Sequence, residues 1–298
     1  MSIKLLRQAY TLIEILVTIS IIALLVALLM PAIQKIRETS KRLECANNLK
    51  QIGTAFLNHG TTRRNFPDSG AGWWLSRSKS SDGLPRSAPD QDWGWAYQIL
   101  PYIEQYSLWS NPSDVDVAAA AVRLYFCPSR RLPQSLRGVQ SGMPNSLRGA
   151  IDYAGNGGIG PSNFPADASF IDQTGVLIPR AGNKVSLTDL PDGASNTLLV
   201  GERNFNRKLS GQSWMYDENN GYINGWDWDT IRWGYDRPAP DRHDDSYYDL
   251  RFGSSHTGGV QFVLADGSVR MVRYSISLST FQNLCHRADG KRIEADAW

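Results

Sequence analysis

The sequence predicts an α+β protein in which one long N-terminal helix packs on an antiparallel β-sheet head with long loops. Three observations carry this reading. Residues 15–33 form an apolar run interrupted only by Thr18, Ser20 and Pro31. Beyond it, Ile33, Ile36, Leu43, Leu49, Ile52, Ala55 and Phe56 recur near helical spacing, with charges on the other faces. Near the C-terminus, Val260, Phe262 and Leu264 alternate with Gln261, Val263 and Ala265 and lead into Asp266-Gly267, the strongest short-range hairpin signal.

Composition sets the bounds. A chain of 298 residues allows one large domain or two small ones, and 42% hydrophobic with 20% charged residues supports a packed core rather than global disorder. The net charge of +2 gives no electrostatic case for a nucleic-acid partner. Cys45, Cys127 and Cys285 have no CxxC spacing, which argues against a structural zinc site or a thioredoxin-like motif. Outside the cytoplasm three cysteines leave at most one disulfide and one free thiol.

The N-terminal segment decides the class. Residues 1–9, MSIKLLRQA, are short and basic. As a helix, Ile15 to Ile33 spans roughly 29 Å, enough to cross the hydrocarbon core of a bilayer. The flanking Lys4 and Arg7 place the N-terminus on the cytoplasmic side. A secretory signal peptide would carry a shorter apolar core followed by a small-residue cleavage site, whereas a charged helical pattern follows here. A plain anchor fits the hydropathy but leaves Glu14 unexplained, because a carboxylate at the edge of an apolar span is costly without a partner.

The segment resembles the class III signal of type IV prepilins and type II secretion pseudopilins: a short basic leader, Ala9, the aromatic Tyr10, then Thr11-Leu12-Ile13-Glu14 and the apolar helix. The resemblance implies that prepilin peptidase cuts between Ala9 and Tyr10 and methylates the new Tyr10 amine. The family usually has Gly before the cut and Phe after it. The implied division is a leader (1–9), a transmembrane or filament-core helix (10–33), its amphipathic continuation (34–59) and a β-rich head outside the cytoplasm (60–298). Glu14 becomes the fifth residue of the mature chain, and in a filament it would pair with a neighbour's N-terminal amine and set axial register. The family's helix has a proline where Pro31 stands, which implies a local kink or melting during assembly.

Five further segments narrow the match: RLECANNLKQIGTAFLNHG (42–60), FCPS (126–129), DYAGNGG (152–158), NTLLVGER (196–203) and SSHTGGVQFVLADGSVRMV (254–272). Together they resemble the prepilin-like DUF1559 family, whose C-terminal H-x9-DG motif is matched by His256, Asp266 and Gly267. In the head, residues 124–127, 197–200 and 260–264 read as strands, 269–273 as the return strand of the hairpin, and 93–100 as a short aromatic helix.

Candidate sites are few. Ser254, Ser255, His256 and Asp266 suggest a hydrolase, but no nucleophile elbow is present and Asp is favoured in turns for backbone reasons. His256 and Asp266 are therefore expected to be structural. The acidic, Trp-rich stretch 214–249 offers Asp227, Asp229, Asp244 and Asp245 as weak calcium ligands within a solvated loop. Trp226, Trp228 and Trp233 are expected in the core rather than stacked on a sugar. Cys45 on the helix and Cys127 after a head strand are a possible disulfide, with two buried thiols as the alternative.

The expected function is structural, not enzymatic: a pilus or pseudopilus subunit in the inner membrane with its head periplasmic, needing no cofactor. Expected partners are prepilin peptidase, an inner-membrane assembly platform, membrane lipid and other pilin-like subunits. The competing reading is a membrane-tethered module that binds a solute, glycan or calcium through residues 214–249.

Overall fold

The computed structural model describes residues 11–72, 74–138, 146–160, 173–180, 184–210, 218–245, 250–294 and 297–298. Helix α1 spans Leu12–Arg63. A capping box starts it: the Glu14 amide donates to Thr11 Oγ1 at 3.3 Å, and the Thr11 amide and hydroxyl each donate to the Glu14 carboxylate at 2.8 Å. The helix runs unbroken through Pro31. Proline has no amide to give the ladder, so the helix lacks one donor at this point. Arg64, in the left-handed region at φ 66°, ends it.

The packed face of α1 is Cys45, Leu49, Ile52, Gly53, Ala55, Phe56 and His59. Ile33, Ile36 and Leu43, expected on that face, are exposed. Ile33 and Ile36 precede the head, and Leu43 lies about 200° around the helix from Cys45. At the far end His59 Nδ1 is 2.9 Å from the Asn65 carbonyl, and its ring meets Tyr102 edge-on. Burial pulls its pKa down to about 4, against the Asn65 contact. The folded state thus excludes a proton that the unfolded chain accepts. Stability is full above about pH 6.5 and falls by up to about 3 kcal/mol as pH drops toward 4. His59→Gln is expected to flatten that acid limb in urea titrations at pH 7 and 4.5; an unchanged limb would assign it to other groups.

The strands are β1 (Ser135–Arg137), β2 (Leu147–Gly149), β3 (Tyr153–Asn156), β4 (Leu198–Glu202), β5 (Ile231–Arg232), β6 (Ala239–Pro240), β7 (Gly253–Ser254), β8 (Gly259–Leu264) and β9 (Val269–Arg273). The main sheet has the order β5-β3-β4-β8-β9. It is mixed rather than purely antiparallel. The β3–β4, β4–β8 and β8–β9 pairs are antiparallel, while β5 returns after a long excursion and pairs parallel to β3. The short helices are α2 (Trp95–Gln98), α3 (Tyr106–Ser110), α4 (Asp114–Ala119) and α5 (Leu278–Cys285).

Both faces of the sheet are covered. On one, Leu49, Ile52 and Phe56 of α1 pack with Val200, Val263, Ala265 and the aromatics Trp95, Tyr97, Tyr125 and Tyr222. On the other, Phe281 and Leu284 of α5 pack with Phe252, Val260, Phe262 and Leu264. The alternation in β8 therefore sorts residues between two cores.

Two expectations change. Residues 124–127 are no strand: a 3-10 turn over Arg123–Tyr125 leads into extended Phe126. The Cys127 amide donates to the Asp152 side chain at 3.0 Å, not to a neighbouring strand. The β8–β9 turn is a three-residue loop closed by Leu264 N–H to Ser268 O at 2.8 Å, and in it only Gly267 has positive φ, 80°. Asp266 acts in the turn through its carboxylate, which accepts from the Ser268 amide at 2.8 Å.

Candidate functional site at the helix–head junction

Four elements deliver one buried cluster where α1 meets the head. Helix α1 contributes Cys45 and Glu38, the loop after the 3-10 turn Cys127, the end of β4 Glu202, and the β7–β8 loop His256. Cys45, Cys127 and Glu202 are fully buried, as is the His256 side chain, while Glu38 is 41% exposed. The Cys45 and Cys127 sulfurs stand 2.6 Å apart. His256 Nε2 lies 3.6 Å from Cys127 Sγ and 3.5 Å from Glu202 Oε1, and Nδ1 lies 2.7 Å from Glu38 Oε1. Glu202 Oε2 accepts from the Gln261 amide at 3.2 Å, whereas Oε1 has no hydrogen-bond donor.

A second ring surrounds this cluster. Arg130 forks onto Asp241 at 3.0 and 3.1 Å and donates to the Asp152 and Arg203 carbonyls at 3.1 and 2.8 Å. Arg131 pairs with Asp152 at 2.6 Å and with Glu218, which also pairs with Arg203. Both guanidiniums stack on Phe205. Asp152 links the rings: burial raises its pKa, but Arg131, Arg130 and the Cys127 amide outweigh burial and hold it below the usual range.

The titrating groups are matched. The Cys127 hydrogen bond, helped by His256, draws Cys45 down to about 7 against burial, while the same bond and burial push Cys127 up. Burial lowers His256, but Cys45, Glu202 and Glu38 overcome it and hold the imidazole up to about 9. Between pH 7 and 9 the folded pair is thiolate and imidazolium. This carries the same number of protons as the thiol and neutral imidazole of the unfolded chain, so the pair adds little pH dependence to folding in that window.

Among the described residues, Cys45, Cys127, Glu202 and His256 bring their ligand atoms within 4.8 Å of one another, as do half-buried Asp192, His286 and Asp289. The four calcium candidates do not form one site. Asp229 is buried and Asp227 half-buried: Asp227 accepts from the Trp228 amide, Asn220 and Asn224, and Asp229 from the Asn220 and Gly221 amides. Burial pushes Asp227 up to about 6 and Asp229 well above the carboxylate range, aided by the charge of Asp227. Asp229 Oδ2 is buried without a hydrogen-bond partner, which favours the uncharged acid form. Asp244 and Asp245 are exposed beside Arg242 and Lys208.

The expected solvated loop over 214–249 is thus corrected where it is described. Trp226 and Trp233 pack edge-to-face in the core, which removes them from any sugar-stacking surface, and Trp228 is half-buried. Ser255 donates to Asp241, while the His256 nitrogens face Glu38, Glu202 and the cysteines. Glu14 and Pro31 lie on the exposed half of α1, and Ala9 and Tyr10 lie outside the described residues.

A family model described as a protein of unknown function, DUF1559, matches residues 34–279. The chain belongs to the DUF1559 family. No curated protein and no solved structure matches it. The five segments that suggested DUF1559 converge here: each supplies one of Cys45, Cys127, Asp152, Glu202 and His256. Asp152 and Glu202 stood inside those segments unremarked, and Glu202 closing the apolar run 198–201 was the signal that could have found it. Glu38, Arg130 and Asp241 had no comparable signal, because a charged residue near a helix or loop reads as solvated until the fold buries it.

Proposed function

We propose that this DUF1559 protein is a structural filament subunit of the type IV pilus or type II secretion pseudopilus class, not an enzyme. In this reading prepilin peptidase processes it, an inner-membrane platform assembles it with other pilin-like subunits, and its head lies in the periplasm. One observation carries the reading. The apolar half of α1 is wholly exposed, with Leu12 at 80% and Leu28 at 66%, yet it continues without a break into the half docked on the head. Such a surface needs lipid or other copies of the same helix around it. Among the described residues, one helix is long and apolar enough to cross a membrane.

The Glu14 carboxylate, held by Thr11 beside the proposed cleavage point, is set to receive a neighbour's amine. Glu14→Ala is expected to leave membrane insertion intact and to cut filament incorporation by at least about tenfold. Thr11→Ala loses the cap, worth about 1 kcal/mol, but keeps the carboxylate and is expected to assemble. The test is filament shearing and immunoblotting of both variants, with the N-terminus of the native protein read by mass spectrometry. N-methylated Tyr10 is the expected start. A chain beginning at Met1, or normal filaments from Glu14→Ala, would overturn the reading.

A further inference from the structure

We propose that Cys45 and Cys127 are a disulfide-forming pair that closes by exchange with a disulfide-bearing oxidant, with His256, oriented by Glu38, as the general base. The sulfurs at 2.6 Å are closer than two unbonded sulfurs rest and must move by only about half an ångström to reach the covalent distance of about 2.0 Å. A tetrahedral zinc ion holding both thiolates at about 2.3 Å would need them roughly 3.8 Å apart, the opposite displacement. This magnitude decides between the two chemistries that a buried Cys, Cys, His and Glu cluster offers.

The rest of the cluster fits the exchange. His256 Nε2 faces the Cys127 sulfur at 3.6 Å with the Cys45 sulfur within 4.8 Å, while Glu38 fixes the ring through Nδ1 at 2.7 Å. Glu202 Oε1, buried without a hydrogen-bond donor 3.5 Å from Nε2, meets the positive charge that a proton brings there. Cys45, already a thiolate held by the proton on His256, attacks one sulfur of the oxidant's disulfide. A mixed disulfide forms and the oxidant's other sulfur leaves as a thiolate, which takes that proton. Cys127 then passes its proton to His256 and attacks Cys45 Sγ. The new bond forms, and the second oxidant sulfur leaves and is protonated in turn. Two protein thiols are oxidised, one disulfide is reduced to two thiols, and no proton is lost or gained. Glu38 is the member that reaches solvent, so the oxidant enters from its side. Cys285, fully buried against Gly234 with its thiol pushed up by burial, stays reduced.

The test uses the full-length protein, purified in detergent, reduced, and exposed to oxidised glutathione. After denaturation and alkylation, one modified thiol is expected instead of three, with a cross-linked peptide joining Cys45 to Cys127. The wild-type rate is expected to rise with pH to a midpoint near 7. In His256→Gln it falls by about tenfold or more, and the midpoint moves toward the ordinary thiol value of about 8.5. Glu38→Gln, on the half-exposed side, is expected to slow closure less and in the same direction, which keeps the base role testable if His256→Gln does not fold. Three alkylated thiols, a cross-link to Cys285, or bound zinc that blocks oxidation would each overturn the proposal. An unchanged rate and midpoint in both variants would overturn the role of His256. None of these readouts depends on N-terminal processing or filament formation, so this inference and the proposed function fail separately.

Discussion

Arg130→Ala is expected to destabilise the head by about 3–5 kcal/mol, the cost of breaking a buried ion pair from one side. The Arg130 side chain is fully buried and gives Asp241 two hydrogen bonds. Without it, Asp241 keeps the Ser255 hydroxyl and a distant Arg207 at 3.9 Å. Asp152 retains Arg131 at 2.6 Å, so the loss centres on Asp241. Arg130→Lys is expected to recover about half, since an ammonium keeps the charge but cannot fork. Arg123, 87% exposed beside Glu44 at 3.5 Å, is the control: an alanine there is expected to change nothing measurable. Urea unfolding in detergent reads all three. A loss under about 1 kcal/mol for Arg130→Ala would mean that water replaces the guanidinium and the joint is not dry.

Gly53→Val is expected to cost about 3 kcal/mol. A Cβ at Gly53 would sit 2.4 Å from Val263 Cγ2 and 3.4 Å from Gly267 Cα, so any side chain there lifts α1 off β8. Alanine should cost less, because its helix preference over glycine, about 1 kcal/mol, offsets part of the clash. Val263→Ala removes the opposing methyl groups. If steric contact is the cause, Gly53→Ala combined with Val263→Ala is less destabilised than the sum of the single variants. Strict additivity would place the cost elsewhere.

The elements whose patterns depend on neighbours in sequence were legible in advance. α1 runs as expected because its apolar stretch and amphipathic stretch share one helical period, and β8 and β9 follow from alternation and Gly267. The misreadings share a cause. Residues 124–127 are apolar enough for a strand, yet Asp152, distant in sequence, takes the Cys127 amide. The acidic stretch 214–249 reads as surface because carboxylates are seldom buried, but Asn220, Asn224 and backbone amides satisfy the half-buried Asp227 and the buried Asp229. In the junction cluster, Cys45, Cys127 and His256 stood out one by one as residue types. Their meeting, and the need for Glu38, Glu202 and three arginines beside them, is a product of tertiary folding that no local spacing encodes.

The placement of the cluster along α1 has a mechanical consequence. The helix is about 78 Å long, and the head grips only its distal part, beginning near Glu38 and Cys45. A pull on the apolar half therefore loads the helix–head interface in shear, along the axis, instead of peeling it open contact by contact. The grip point nearest the load is the cysteine, histidine and carboxylate cluster, and the aromatic packing around Phe56 and Trp95 lies behind it. Tension reaches the strongest directional contacts first and the slippery apolar ones last, the order in which a clamp holds a rod.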